Sequence, residues 1–291
     1  MMGGPAQTVV PMPHLPSVEV SSLERSWLFA RLPVPAGGCP DAGAAELVGT
    51  VVAGLVAAVR RADPGSGWFY DRPGPTGVPV APAAGQRLRL GFCASAAGLD
   101  AVRAGLRAYD QGCSLVDEPH AVRDAARGGP LAQAGSDLAL ALLAGDGPWL
   151  PGAELPLAVA HLRHLAGLLP AADRPAFLFL HWQDRATALT GAHRRELAAQ
   201  AAAGADKIVL TAGDLPPGGA AGVAWRRYLD RVADVAGRDH PGAPRGFLLA
   251  HHAQLSHDRW GIAPDVDALA ALALRLTLVR RPTGAEEKTA T

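Results

Sequence analysis

Lysine is nearly absent from this chain of 291 residues: Lys207 and Lys288 are the only two, and arginine supplies the rest of the basic charge. With alanine, glycine and proline used heavily, that bias reads as the codon composition of a GC-rich bacterial genome rather than as a functional adaptation. Neither sign of charge is in excess, since Lys+Arg and Asp+Glu both number 27, and this argues against a nucleic-acid partner or an anionic membrane surface. Cysteine is scarce too. Cys39, Cys93 and Cys113 are odd in number and lack Cys-x-x-Cys spacing, which argues against a disulfide framework or a zinc ribbon and fits a reducing cytosol. The N-terminus has no basic stretch leading into an apolar one, and no later run reaches the roughly 18 apolar residues of a bilayer span, so the expected location is cytoplasmic, with no membrane partner.

Several chemistries are missing as motifs. No Gly-x-x-x-x-Gly-Lys-Ser/Thr phosphate loop, no Gly-x-Gly-x-x-Gly turn and no His-Glu-x-x-His occur, and Gly65-Ser66-Gly67 lacks the spacing of a nucleophile elbow. His161 and His164 stand three apart on an expected helix, but no acidic or cysteine partner lies near them in sequence, so they read as a surface or core pair rather than metal ligands.

The pattern that is present predicts an α+β fold. Residues 1–21, with Pro5, Pro11, Pro13 and Pro16, read as a flexible lead-in, 22–282 as a single α+β domain, and 283–291 as a disordered tail. Trp27–Leu32, Trp68–Tyr70 and Arg87–Phe92 read as strands, and Ala44–Arg61 as a helix with Leu47, Val51, Leu55 and Val59 on one face. From Ser136 onward the pattern is mostly helical. Asp137–Ala144, Leu155–Leu169, His193–Ala203, Val223–Val235 and Val266–Val279 stand out, the last started by Pro264-Asp265 and stopped by Pro282. The expected architecture is a small, mainly antiparallel sheet with flanking helices, followed by a largely helical half that buries one face against it.

The stretch from Gly246 to Ile262 sets His251, His252 and His257 beside Gln254, Ser256, Asp258 and Arg259 in apolar company. That is too many polar groups for a core helix and too much apolar company for a solvated one, so some of them are expected to line a cavity.

Four segments in order resemble the lanthipeptide dehydratase C-terminal family, which includes glutamate-elimination domains and the pyridine-forming cyclases of thiopeptide biosynthesis. They are Ser26-Trp27-Leu28-Phe29; Trp68-Phe69-Tyr70-Asp71-Arg72 with Gln86-Arg87-Leu88-Arg89-Leu90; Asp117 to Arg123 through Gly128-Gly129 to Ser136-Asp137-Leu138-Ala139-Leu140; and the histidine-rich stretch. The resemblance runs from about Ser26 to Arg281. It implies a fold like the elimination domain of class I lanthipeptide dehydratases.

Departures from the pattern choose the branch. An elimination domain is expected to carry a glutamate three residues before the arginine of the third segment and a histidine five residues before that of the fourth. This chain has His120 before Arg123, and Gln254 before Arg259. Glutamine exchanges no protons near neutral pH, yet it donates and accepts hydrogen bonds, which suits holding an amide-rich substrate. The resemblance therefore implies a cyclase. Two dehydroalanines of a leader-linked ribosomal peptide would join by formal [4+2] aza-cycloaddition, and loss of water and of the leader as an amide would leave a pyridine-centred macrocycle. No metal or other cofactor is implied. The partners it implies are the dehydrated precursor peptide with its leader and upstream dehydratase proteins. The rival readings are a split elimination lyase, with a neighbouring histidine covering for Gln254, and a non-catalytic leader-binding scaffold.

Helical spacing puts His251, Gln254 and His257 on an expected polar wall, with either histidine able to shuttle a proton. Ser256 either bonds a substrate amide or returns to the carbonyl of residue 252. Tyr70 is a candidate phenolic donor, with a place in the core as the alternative. By the family position Arg72 would contact peptide carbonyls or be a relic of the elimination branch, and His120 and Arg123 would meet the peptide. Arg87 and Arg89, on one strand face, suit an acidic leader segment or are simply solvated. Tyr228 and Arg259 are further substrate-binding candidates, although a helix tyrosine commonly packs and the Asp258-Arg259 pair reads first as structural.

Overall fold

The computed structural model describes residues 25–34, 40–72, 87–109, 112–116, 129–144, 152–213, 215, 218–238 and 244–280. The expected segments 1–21 and 283–291 lie outside them.

Strand β1 (Ser26–Pro33) alternates Leu28, Ala30 and Leu32 into the core with Trp27, Phe29 and Arg31 on the other side, the period-2 pattern of a sheet with one packed face. Helix α1 (Pro40–Leu47) continues through a π-helical turn (Val48–Val52) into α2 (Ala53–Ala62), and its stripe of Leu47, Val48, Val52, Leu55, Val56 and Val59 is buried. Within that run, Gly43–Ala62 is long and apolar enough by length and composition to cross a membrane, but the stripe packs into the protein core. β2 (Gly67–Asp71), β3 (Arg87–Ala94), α3 (Ala96–Tyr109) and the two-residue β4 (Ser114–Leu115) complete the first part. The strands lie in the order β2-β3-β1-β4 with every neighbour antiparallel, the split β-α-β arrangement in which each helix crosses one face of the sheet.

The second part is helical: α4 (Pro130–Leu143), α5 (Glu154–Gly167), α6 (Arg174–Ala186), α7 (Gly191–Leu210), α8 (Gly219–Gly237), α9 (Arg245–Trp260) and α10 (Pro264–Arg280). The fold is α+β, as the sequence pattern predicts. One contiguous core runs from Leu28 in β1 to Leu274 in α10, so sheet and helices share a single interior. Two elements escape the sequence reading. β4 is too short to alternate, and α6 buries Phe177, Leu178, His181 and Arg185, so two of the residues on its inward stripe are polar and the apolar period is broken.

Tertiary ties fix the helical half on the sheet. Trp68 donates its indole N–H to Asp137 at 2.7 Å, and Arg60 reaches the same oxygen at 2.6 Å. The Ser136 hydroxyl donates to the Ala132 carbonyl at 2.8 Å and accepts the Tyr70 backbone N–H at 3.1 Å, which holds α4 along the β2 edge.

Candidate functional site

Helix α9 carries the histidine-rich segment. It ends at Gly261, whose φ of 78° is left-handed. There the N–H of Ile262 bonds the His257 carbonyl at 2.9 Å and that of Gly261 bonds the Asp258 carbonyl at 3.2 Å, a helix stop that needs a residue without a Cβ. This turn folds α10 back so that Asp267 returns to the side of His257.

The expected wall of His251, Gln254 and His257 does not form. His251 is exposed, Gln254 is half-buried and His257 is completely buried. The reason is angular: six residues at about 100° each leave His251 and His257 about 120° apart around the helix. The accessible stripe is instead His251, Gln254 and Asp258, at spacings of three and four.

Most other polar groups of the segment turn inward and find protein partners. The Ser256 hydroxyl donates to the Tyr228 hydroxyl at 2.8 Å, and Tyr228 donates onward to the His252 carbonyl at 3.4 Å. The expected direct return of Ser256 to the carbonyl of residue 252 does not form; Tyr228 links the two instead. Burial pushes the Tyr228 phenol up to about 12, so it stays protonated. Arg259 donates from Nε to the Tyr70 carbonyl at 2.8 Å and from Nη2 to Asp71 at 2.9 Å, while the Tyr70 hydroxyl donates to the Arg259 carbonyl at 2.9 Å. A Cβ on Gly135 would lie 3.0 Å from the Arg259 guanidinium, so the small residue leaves room for it to pass α4. Tyr70, Tyr228, Ser256 and Arg259 are thus anchors between elements rather than groups held out to a substrate; all four are buried. Asp258 and Arg259 each pair elsewhere, Asp258 with Arg185 and Arg259 with Asp71.

Behind α9 lies a cluster that the sequence reading does not assemble. Asp267, fully buried at the start of α10, places Oδ1 2.7 Å from His181 Nε2 and 2.8 Å from His257 Nδ1, and Oδ2 2.9 Å from Arg185 Nε. Arg185 Nη1 lies 2.9 Å from Asp258, and His257 Nε2 lies 2.9 Å from His161 Nδ1. Burial lowers the affinity of both His257 and His161 for protons, and for His257 it outweighs the attraction of Asp267. Asp267 is held well below the usual carboxylate range by His181 and His257, against the opposing effect of its burial. Two neutral imidazoles beside an ionised carboxylate allow one consistent proton assignment: His257 Nδ1–H faces Asp267, and His161 Nδ1–H donates to His257 Nε2. His161 Nε2 is then a bare lone pair among the rings of Trp225, Tyr228 and Trp260, and it has no hydrogen-bond partner.

His181, His257 and Asp267 are the types that bind zinc, but their geometry suits proton sharing better. His181 Nε2 hydrogen-bonds Asp267 Oδ1 and His257 Nδ1 stands 2.8 Å from the same oxygen, whereas zinc ligands held at about 2.0 to 2.1 Å in a tetrahedron stand over 3 Å apart. A guanidinium also occupies the other carboxylate oxygen. The cluster joins α5, α6, α9 and α10, and through Arg185 and Asp258 it reaches the accessible stripe of α9.

No family model matches this chain, and neither does any curated protein.

The remaining sequence candidates among the described residues lie on or beside the sheet. Arg87 and Arg89 are exposed on the outer side of β3, and Arg72 is half-buried just past β2. That outer side also carries Trp27, Phe29 and Phe69, with ring centroids 5.7 to 6.5 Å apart. Gly91 makes room for Phe69, since a Cβ there would come within 2.5 Å of the ring. His120 and Arg123 lie outside the described residues.

Proposed function

We propose that this protein is a peptide-modifying cyclase that closes a pyridine from two dehydroalanines of a leader-linked ribosomal peptide by formal [4+2] aza-cycloaddition. One observation carries the reading: Gln254 stays accessible on a helix whose other polar side chains are mostly turned inward and engaged. At the position where an eliminating enzyme needs a group that exchanges protons, the chain presents a neutral amide on a rigid support. The amide can hold a peptide carbonyl or N–H in place. His251, one turn away and exposed, places an imidazole beside it that can give or take a proton.

The chemistry asks mainly for alignment. One dehydroalanine, with the preceding amide as its imidic tautomer, is the azadiene, and the other is its two-carbon partner. Holding such groups together in an intramolecular reaction is worth on the order of 7 to 11 kcal/mol. Proton transfer during loss of water and of the leader amide adds about 10² to 10⁴ in rate. A helix locked from behind by Asp267 and Arg185 suits the first demand. His251 suits the second.

The test offers the full-length protein two peptides in parallel, one with two dehydroalanines behind a leader and one with glutamylated serine. Loss of water and leader from the first, with new pyridine absorbance, supports the cyclase. Glutamate release from the second, with the first left unchanged, transfers the protein to the elimination branch. Leader binding with no change in either peptide leaves only a scaffold.

A further inference from the structure

A slot opens between α5, α6, α7 and α10, of which α5, α6 and α10 also carry the buried cluster at other turns. Its volume is about 270 Å³, and Ala166, Leu178, Val209 and Leu274 form its apolar walls. Two backbone features border it. A Cβ on Gly167 would meet nothing within 4 Å, and α7 kinks at Gly204, where φ is −138° and ψ is 20°, before Val209 and Leu210 line the slot. Leu210 is 76% exposed at its edge, a large apolar side chain left in water.

Charge at the mouth is uneven. Arg163 and Arg174 line the slot with a single acid, Asp206, and neither arginine has a carboxylate within ion-pair distance among the described residues. Arg174 spends its Nε–H on the Leu169 carbonyl at 3.1 Å and keeps its terminal nitrogens. A largely apolar slot with two guanidinium groups along its edge suits an apolar chain that ends in a carboxylate. An amine would meet the arginines, and an uncharged chain would leave them unused.

We infer that this slot is a binding site for a medium-chain carboxylate, with the chain between Leu178 and Leu274 and the head group between Arg163 and Arg174. The site lies near the buried cluster. Leu178 is one turn from His181 on the inward side of α6, and Leu274 is two turns from Asp267 on that of α10. Ligand binding therefore stabilises the packing around His257, because anything bound only to the folded state raises its stability. This site is independent of the cyclase reading and stands or falls by its own measurement.

Calorimetric titration of the full-length protein with decanoate, decanol and decylamine, each below its aggregation concentration, tests the inference. Decanoate is expected to bind saturably at one site and tightest of the three. Replacing Arg163 and Arg174 together by alanine is expected to cost decanoate about five- to tenfold and bring it to the level of decanol. Val209→Trp, which fills the slot, is expected to abolish binding, with circular dichroism checking the fold. The arginine variants leave the apolar walls of the slot unchanged and keep the test valid if Val209→Trp fails to fold. Absence of saturable binding overturns the inference, as does decanoate affinity unchanged by the double arginine variant or by a folded Val209→Trp. A concentration-dependent dimer that decanoate leaves intact also overturns it, because a second copy then covers the slot.

Discussion

Replacing Asp267 by asparagine probes the buried cluster with little change in volume. The carboxylate faces His181 at 2.7 Å, His257 at 2.8 Å and Arg185 at 2.9 Å, with all these side chains nearly or fully buried. An amide offers one acceptor oxygen in place of two. Its NH₂ turns either toward the Arg185 N–H or toward both imidazoles, so a donor meets a donor in either orientation. Arg185 is left with Asp258 alone to balance its charge. Breaking a buried ion pair by removing one partner costs about 3–5 kcal/mol, and a domain of this size loses about 2–4 °C in Tm per kcal/mol. The expected fall is therefore roughly 6–20 °C. Thermal unfolding followed by fluorescence reads it directly, because Trp225 and Trp260 are buried against His161. Combining the change with Arg185→Met removes the stranded cation and is expected to recover part of the loss. A Tm within 2 °C of the parent (a roughly 1 kcal/mol effect), or a double variant less stable than Asp267→Asn alone, refutes the account of the cluster as a balanced charge network.

The pH dependence follows from the same groups. Burial depresses His161 and His257, so below the unfolded-chain value of about 6.5 the unfolded state takes up protons that the folded state refuses. Stability is expected to fall as pH drops from 7 toward 5, with a slope approaching about 2.7 kcal/mol per unit if both groups contribute, and urea midpoints that stay flat or rise contradict this. At the alkaline end Tyr70 and Tyr228 are raised, so stability declines as pH rises past about 10, where only the unfolded chain loses those protons; a rise in urea midpoint there refutes it. Arg259→Lys loses the fork shared by the Tyr70 carbonyl and Asp71 and is expected to cost about 2–3 kcal/mol in chemical denaturation, with no measurable loss as the opposing outcome. Tyr228→Phe is expected to cost only about 1 kcal/mol, because Ser256 can then bond back along its own helix; a loss above 3 kcal/mol contradicts that relay.

What the sequence revealed, and what it hid, follows from the range of each signal. The alternation of Leu28, Ala30 and Leu32 against Trp27, Phe29 and Arg31 is local, and it identifies β1 and its packed side without knowledge of the partner strand. Proline at the starts of α4, α6 and α10 and the left-handed Gly261 after α9 are likewise readable in place. The cluster is different. His161, His181, Arg185, His257 and Asp267 come from four helices and are spread over more than a hundred positions of sequence, so no spacing rule joins them. The i, i+4 pair of His181 and Arg185 on an apolar stripe was the available signal, and it obscured α6 instead of announcing a site. The expected wall on α9 failed for a narrower reason. Helical spacing says which residues share a stripe, but not which stripe faces the core, and here the anchors Ser256, His257 and Arg259 took the inner side.

The central claim is ring closure by a helix that positions a peptide through Gln254, and the mass of the released leader tests it most directly. After incubation with a leader-linked peptide bearing two dehydroalanines, the account predicts a leader released as its C-terminal carboxamide, together with a dehydrated macrocyclic product. Gln254→Ala is predicted to slow its release while His257 and the fold stay in place. A leader released as a free acid, or a peptide of unchanged mass after prolonged incubation, contradicts the account.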